Sequence, residues 1–188
     1  MSYFPLSIDE GVTYLQQGSI IAYPTEAVFG LGCAPDNDSA LDYLLALKQR
    51  DVRKGLILIA SHVEQLLPYL DLSQVKQERW QMILQQWPGP YTWVIPASPL
   101  VSSRIKGQFT SVAVRVTAHP VASQLCQAFG KPIVSTSANI AMQAPLKDGV
   151  AVYRQFGEKI AGIVTGSIGA DAQPTIICDA LTEEIYRA

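Results

Sequence analysis

Apolar positions along this chain fall into many short runs separated by polar turns, and the period of each run predicts an element. Ile8, Val12 and Leu15 recur at helical spacing behind Ser7-Ile8-Asp9-Glu10, which has the Ser-x-x-Glu form of a capping box, and Gly18 stands where that helix would stop. Ser19 to Tyr23 reads as a short buried strand ended by Pro24, and Thr25 to Pro35 as a loop. Leu41, Leu44, Leu45 and Lys48 predict a second helix, capped by Asp38 or Ser39, and the run Leu56 to Ala60 predicts a strand. Ser61-His62-Val63-Glu64 has the form of another capping box, Pro68 interrupts what it starts, and Ser73 can begin a longer helix through Trp80, Ile83 and Leu84.

Beyond the rigid turn Trp87-Pro88-Gly89-Pro90, strands are expected at Tyr91 to Pro96, Ser111 to Val116 and Ile133 to Ser135. A helix from Val121 to Phe129 should close at Gly130. A further helix at Val150 to Phe156 and short strands around Ile163 and Ile176 complete the pattern. Alternating helices and strands argue an α/β fold, and several late strands lie too close together for helical crossovers. The expectation is therefore a twisted, open, mixed β-sheet with flanking helices around a basic cavity, a single domain over residues 1–188.

Composition narrows the function. With 48% hydrophobic and 16% charged residues, the 188-residue chain has the make-up of one compact domain. No apolar stretch approaches the ~18 residues a membrane span needs, and Met1 to Pro5 lacks a basic start, so a cytoplasmic protein is expected. Cys33, Cys126 and Cys178 are odd in number, far apart and without C-x-x-C spacing, which points to neither a disulfide framework nor a protein metal site. A net charge of −2 also argues against binding nucleic acid through a general basic excess, leaving only a local patch for it.

Against that background two segments stand out. Lys48, Arg50, Arg53 and Lys54 crowd together just ahead of Gly55 and the apolar run. A solvated helix end could account for them, but their place at the mouth of a buried strand favours an anion. Ile133 to Asn139 starts apolar and runs into Ser135, Thr136, Ser137 and the carboxamide of Asn139. Such a segment can be an ordinary strand with a helix cap, or a set of neutral donors that orient a phosphate. Cations to neutralise a polyphosphate and hydroxyls to orient it together suggest a nucleotide site. Pro24 to Gly32 fits neither a P-loop nor a dinucleotide fingerprint. Arg115 and His119, at a strand exit, are candidates for an anion contact and an orienting base. A nucleophile elbow fails because Thr165 stands where glycine is required ahead of Gly166-Ser167.

Taken in order, Ala22 to Cys33, Leu47 to Arg50, Lys54 to Ala60, Trp87 to Thr92, Val112 to Val116 and Ser135 to Asn139 closely resemble the YrdC-like family, in its short single-domain threonylcarbamoyl-AMP synthase (TsaC-type) branch. The resemblance covers nearly the whole chain. It implies formation of threonylcarbamoyl-adenylate and pyrophosphate from L-threonine, bicarbonate or CO2, and ATP, with Mg2+ carried on the ATP phosphates. The product would serve N6-threonylcarbamoyladenosine modification of tRNA beside the anticodon, through a downstream tRNA threonylcarbamoyltransferase complex. Direct contact with tRNA or double-stranded RNA is left open.

The family's K-x-R and S-x-N signature falls on Lys48, Arg50, Ser137 and Asn139. This implies catalytic roles for Lys48 and Arg50, and ATP contacts for both together with Ser135, Ser137, Asn139 and Arg115. Thr25, Arg53 and Lys54 are implied on the threonine side. The chain departs from the family at Ile140-Ala141-Met142, where a Ser-Gly step is usual, and matches only partly at Gln173-Pro174-Thr175-Ile176. Two other classes compete: an RNA-binding module, and a carbamoyl-adenylate-forming domain of another pathway.

Overall fold

The computed structural model describes residues 5–169 and 175–187. Its frame is one ten-stranded mixed sheet with the spatial order β1-β8-β2-β3-β7-β4-β6-β5-β9-β10. In chain order these strands are β1 (Pro5–Leu6), β2 (Ile21–Pro24), β3 (Phe29–Cys33), β4 (Ile57–Ala60), β5 (Tyr91–Pro96), β6 (Ser111–Val116), β7 (Ile133–Ser137), β8 (Gly162–Val164), β9 (Ile176–Asp179) and β10 (Ile185–Arg187). β4 runs parallel to β6 and β5 to β9, while β3, β7 and β4 pair antiparallel in succession. The helices are α1 (Ile8–Gln16), α2 (Asp38–Lys48), α3 (Gln77–Gln85), α4 (Ser103–Lys106), α5 (Pro120–Phe129) and α6 (Gly149–Phe156).

Alternation along each strand separates two cores, because successive side chains point to opposite faces. Ala22, Leu31, Cys33, Leu58, Val114 and Val134 face α2, α3 and α6, and form the larger cluster. Ile21, Tyr23, Ile59, Ile133 and Val164 face the other way and pack under Val12 and Leu15 of α1 and Leu125, Cys126 and Phe129 of α5. Each fully buried aliphatic side chain contributes roughly 1.5–3 kcal/mol. Helices cover only part of this second face, and the uncovered part is the floor of a cavity.

Local signals account for several boundaries. The Ser7 capping box forms in full, and Gly130 ends α5 at φ 77°. Four expectations need correction. Thr25 to Pro35 is not all loop, since Phe29–Cys33 is a central strand. Gly30 and Gly32 are weak strand formers, yet Phe29, Leu31 and Cys33 alternate into the core, and a Cβ on Gly32 would lie 2.6 Å from Val134 O and 2.8 Å from the Tyr23 ring. The α2 cap is Asn37, whose Oδ1 accepts from Ala40 N at 2.9 Å. Ser61 forms no capping box; its amide and hydroxyl bond Gln65 Oε1 over a single 3-10 turn. Ser73 sits in another short turn, and α3 begins only at Gln77.

Candidate active site

α2 ends with Lys48 inside its last turn, Gln49 turns left-handed at φ 51°, and Arg50 emerges beside Gly55. Gly55 is itself at φ 65°, and a Cβ there would meet Ile105 O at 3.0 Å. Leu56 N donates to that same carbonyl at 2.7 Å, so α4 is drawn against the start of β4. The basic cluster therefore opens onto one end of β4. β7 runs antiparallel to β4, with Ser135 opposite Ile57, so its hydroxyl-bearing end arrives at the same place.

Between them lies a cavity of about 860 Å³. Ser135, Ser137, Gly30, Ile57 and Ala113 line it from the sheet, and Ala144, Pro145 and Lys147 from the loop after β7. Arg50, Lys54, Lys106, Arg115, Lys147 and Arg187 are on its wall, with Glu26 the one carboxylate among the described lining residues. Among the described residues six cations face one carboxylate, a strongly positive lining in a chain of net charge −2.

Arg50 donates through Nε and Nη2 to Gly55 O at 3.1 and 2.9 Å, which fixes the guanidinium, and burial lowers its pKa. Lys48 is buried behind the wall. Its Nζ donates to Ser137 O, to Asn139 O at 2.8 Å and to Asn139 Oδ1 at 3.3 Å. Burial, and then the neighbouring Arg50 charge, push its pKa down to about 8. Ser137 Oγ donates to Asn139 Oδ1 at 2.5 Å, while Asn139 Nδ2 donates to Gln143 O at 2.7 Å. Lys48, Ser137 and Asn139 thus form one knot, with Ser137 on its cavity side.

The opposite wall is a buried polar network. Arg115 Nη2 meets Glu26 Oε2 at 3.2 Å, and Thr117 donates to Glu26 Oε1 at 2.6 Å. Burial by itself would raise the Glu26 carboxyl, but the Arg115 charge and the Thr117 hydrogen bond outweigh it and hold the pKa below the usual carboxylate range. Arg115 Nη1 also donates to Thr175 Oγ1 at 3.0 Å, and Arg187 Nη2 to the same oxygen at 3.0 Å. Two guanidiniums share one hydroxyl and, among the described residues, are balanced by a single carboxylate. Thr25 lines the cavity beside them, its hydroxyl donating to Val28 O at 2.7 Å.

The fold does not gather every candidate. The Arg53 side chain is 72% exposed and pairs with Asp51 at 2.6 Å, away from the cavity wall. His119 lies beneath the wall with Nε2 2.9 Å from Ser167 O. Cys33 and Cys126 are buried, and burial pushes each thiol up to about 12, which leaves neither as a ready nucleophile. Gln173 and Pro174 fall outside the described residues. Glu26, Lys106, Lys147 and Arg187 were not singled out from the sequence as site residues, although Glu26 lies within the family segment Ala22 to Cys33; only pairing of distant strands and turns brings them together.

A family model described as Telomere recombination (Sua5_yciO_yrdC) matches residues 13–188. The chain belongs to the Sua5/YciO/YrdC family. Within it, the chain is 53% identical over 173 residues to the threonylcarbamoyl-AMP synthase of Vibrio campbellii, covering 92% of this chain and 94% of that protein. It is 50% identical over 181 residues to the enzyme of the same name from Vibrio parahaemolyticus, covering 96% and 98%. Among solved structures, P. abyssi Sua5 complexed with L-threonine matches with a TM-score of 0.85 and 30% identity. That match covers 92% of this chain and 50% of the P. abyssi protein, so the chain spans about half the length of that member. E. coli YciO matches with a TM-score of 0.81 at 22% identity, covering 96% and 90%, a likeness of fold.

Proposed function

We propose that this family member is a threonylcarbamoyl-AMP synthase, condensing L-threonine, bicarbonate or CO2, and ATP into threonylcarbamoyl-adenylate and pyrophosphate. The observation that carries this is the cavity shared by the cationic turn after α2 and the hydroxyl end of β7. The curated Vibrio relatives match it over nearly their full length.

The chemistry asks for such a cavity. Threonine's neutral amine adds to CO2 and loses a proton to solvent, giving a carbamate whose oxygen attacks the α-phosphorus as the bond to the bridging oxygen breaks and pyrophosphate leaves. Nucleophile and electrophile are both anionic. Two unit charges about 4 Å apart repel by roughly 4 kcal/mol at an effective dielectric of 20, about a thousandfold in rate if left uncancelled. Arg50 and Lys54 on the wall, with Lys48 behind it, supply the opposing charge and stabilise the departing pyrophosphate. Ser135 and Ser137 line the wall where the phosphates would lie, the latter held there before ATP arrives by its bond to Asn139 Oδ1. Arg115 provides a further anion contact, and Thr25 lies on the threonine side. No covalent enzyme intermediate is required.

Mg2+ enters as MgATP. Glu26, the one carboxylate lining the cavity among the described residues, is engaged by Arg115 and Thr117, so the phosphates and water would hold the ion, which would supply charge neutralisation there. Residues 1–188 act as one cytoplasmic catalytic unit that hands its adenylate to a tRNA threonylcarbamoyltransferase complex. The cations gathered at the cavity line a concave pocket of small-ligand size, which favours a nucleotide over an RNA backbone. Purified protein given ATP, threonine and bicarbonate should release pyrophosphate and form the adenylate, each dependent on all three substrates. Salt-sensitive tRNA binding without turnover would reject the assignment.

A further inference from the structure

A lysine ammonium has three protons and no fourth donor. Lys48 aims all three at oxygens of one short segment, Ser137 O, Asn139 O and Asn139 Oδ1, and its own carbonyl accepts from Ala141 N at 2.8 Å. Lys48 is 3% exposed and lies behind the cavity wall, whereas Arg50 and Lys54 stand on it. To touch a phosphate, Lys48 would have to give up its bond to Asn139 O at 2.8 Å, or a bond to one of the two oxygens that have a second donor, Ser137 O (from Asn139 N at 3.0 Å) and Asn139 Oδ1 (from the Ser137 hydroxyl). Asn139 Oδ1 accepts from both Lys48 and the Ser137 hydroxyl, so one atom ties the buried cation to the cavity-facing oxygen.

We infer that Lys48 is a positioning residue: it pins the segment 137–141 so that Ser137 is held on the cavity wall, and it touches no phosphate itself. The inference rests on the reading of the cavity as a polyphosphate site. It divides the basic cluster into one internal strut, Lys48, and cations that meet the ligand, Arg50 and Lys54.

Hydrogen exchange of the nucleotide-free protein separates the two roles, because a pure phosphate contact has nothing to hold before ATP arrives. Lys48→Met should raise exchange across residues 138–146 by at least about tenfold while β4 and β6 keep wild-type protection. Unchanged exchange there, with a raised KM for ATP, would overturn the inference. If Lys48→Met does not fold, the same measurement on Asn139→Ala decides, with loosening confined to 138–146 in support and none against.

A kinetic cycle gives a second readout. Adding Lys48→Met to Asn139→Ala should cost no more than about twofold further in KM for ATP, because both act through one knot; independent, multiplying losses would contradict it. A planar guanidinium cannot direct three protons at the converging acceptors, so Lys48→Arg should stay defective. Lys48→Cys alkylated with 2-bromoethylamine, which rebuilds an ammonium of nearly the same length, should recover. Full recovery by arginine, itself a good phosphate ligand, would sink the strut and favour direct contact. The exchange measurement needs no substrate, so absence of turnover in the wild-type protein would refute the synthase reading and leave this result standing.

Discussion

Ile133 and Ser135 are two residues apart in β7 and point to the same face of the sheet, yet Ile133 packs beneath α5 while Ser135 lines the cavity. β4 repeats the contrast, with Ile59 under the helices and Ile57 on the cavity floor. One face thus has two halves, one covered and apolar, the other left open and lined by hydroxyls, glycine and cations. The site exists because α1 and α5 stop short of it. Stability resides in the covered half, where close packing is felt to a single methylene, and the proposed chemistry in the open half, where small side chains leave room for a ligand.

The sharpest way to break this contrast is to exchange the consequences of its two halves. Ile133→Ala should destabilise by about 3 kcal/mol in denaturant unfolding, with turnover per folded molecule retained. Arg50→Ala should lower threonine- and bicarbonate-dependent pyrophosphate release by at least about tenfold while the unfolding midpoint stays put. Unchanged turnover would remove Arg50 from the phosphate site. Ser135→Ala should shift stability by less than about 1 kcal/mol and kcat/KM by up to about tenfold, the mirror image of Ile133→Ala.

A subtler separation comes from pH. The Lys48 pKa is lowered to about 8 from 10.5, by burial and then by the facing Arg50 charge. Between those values the unfolded chain holds a proton that the folded one has lost, so this group's penalty on stability is full below pH 8 and relieved as pH rises towards 10.5. Affinity for ATP should move the opposite way, falling above about pH 8 as the ammonium loses a donor; titration calorimetry and unfolding curves at matched pH would show the divergence. The smallest effect belongs to Arg53→Ala, under about twofold in kcat/KM, since this exposed pair with Asp51 lies off the cavity wall. A large loss there would extend the site beyond the cavity.

Much of the frame was legible from local chemistry. The Ser7 capping box, Gly130 at the end of α5, and strands β5 and β6 follow from short-range rules that need no distant partner. β3 was hidden because Gly30 and Gly32 read as turn residues, although Phe29, Leu31 and Cys33 carry the alternation of a strand. β1, α4 and β10 are two to four residues long, too short for any periodicity to register. At the site, the crowding of Lys48, Arg50 and Lys54 and the hydroxyl run of β7 marked two walls, and the resemblance to the family named their use. Arg53, part of the same basic run and implied on the threonine side by the resemblance, turns to Asp51.

By itself the amino-acid order determined most of the longer helices and strands, the absence of a basic excess, and the two clusters from which a nucleotide site can be built, because capping, alternation and charge density act over a few residues. Only the tertiary structure decided that β7 runs antiparallel to β4 and so brings Ser135 and Ser137 to the basic turn, that Glu26 neutralises Arg115, and that Lys48 turns inward to the backbone while Arg50 stays on the wall. Those outcomes depend on strand order and on the depth at which a side chain is buried. Neither is encoded in any short stretch, since each is settled by partners as many as ninety-one positions away, as Asn139 is from Lys48.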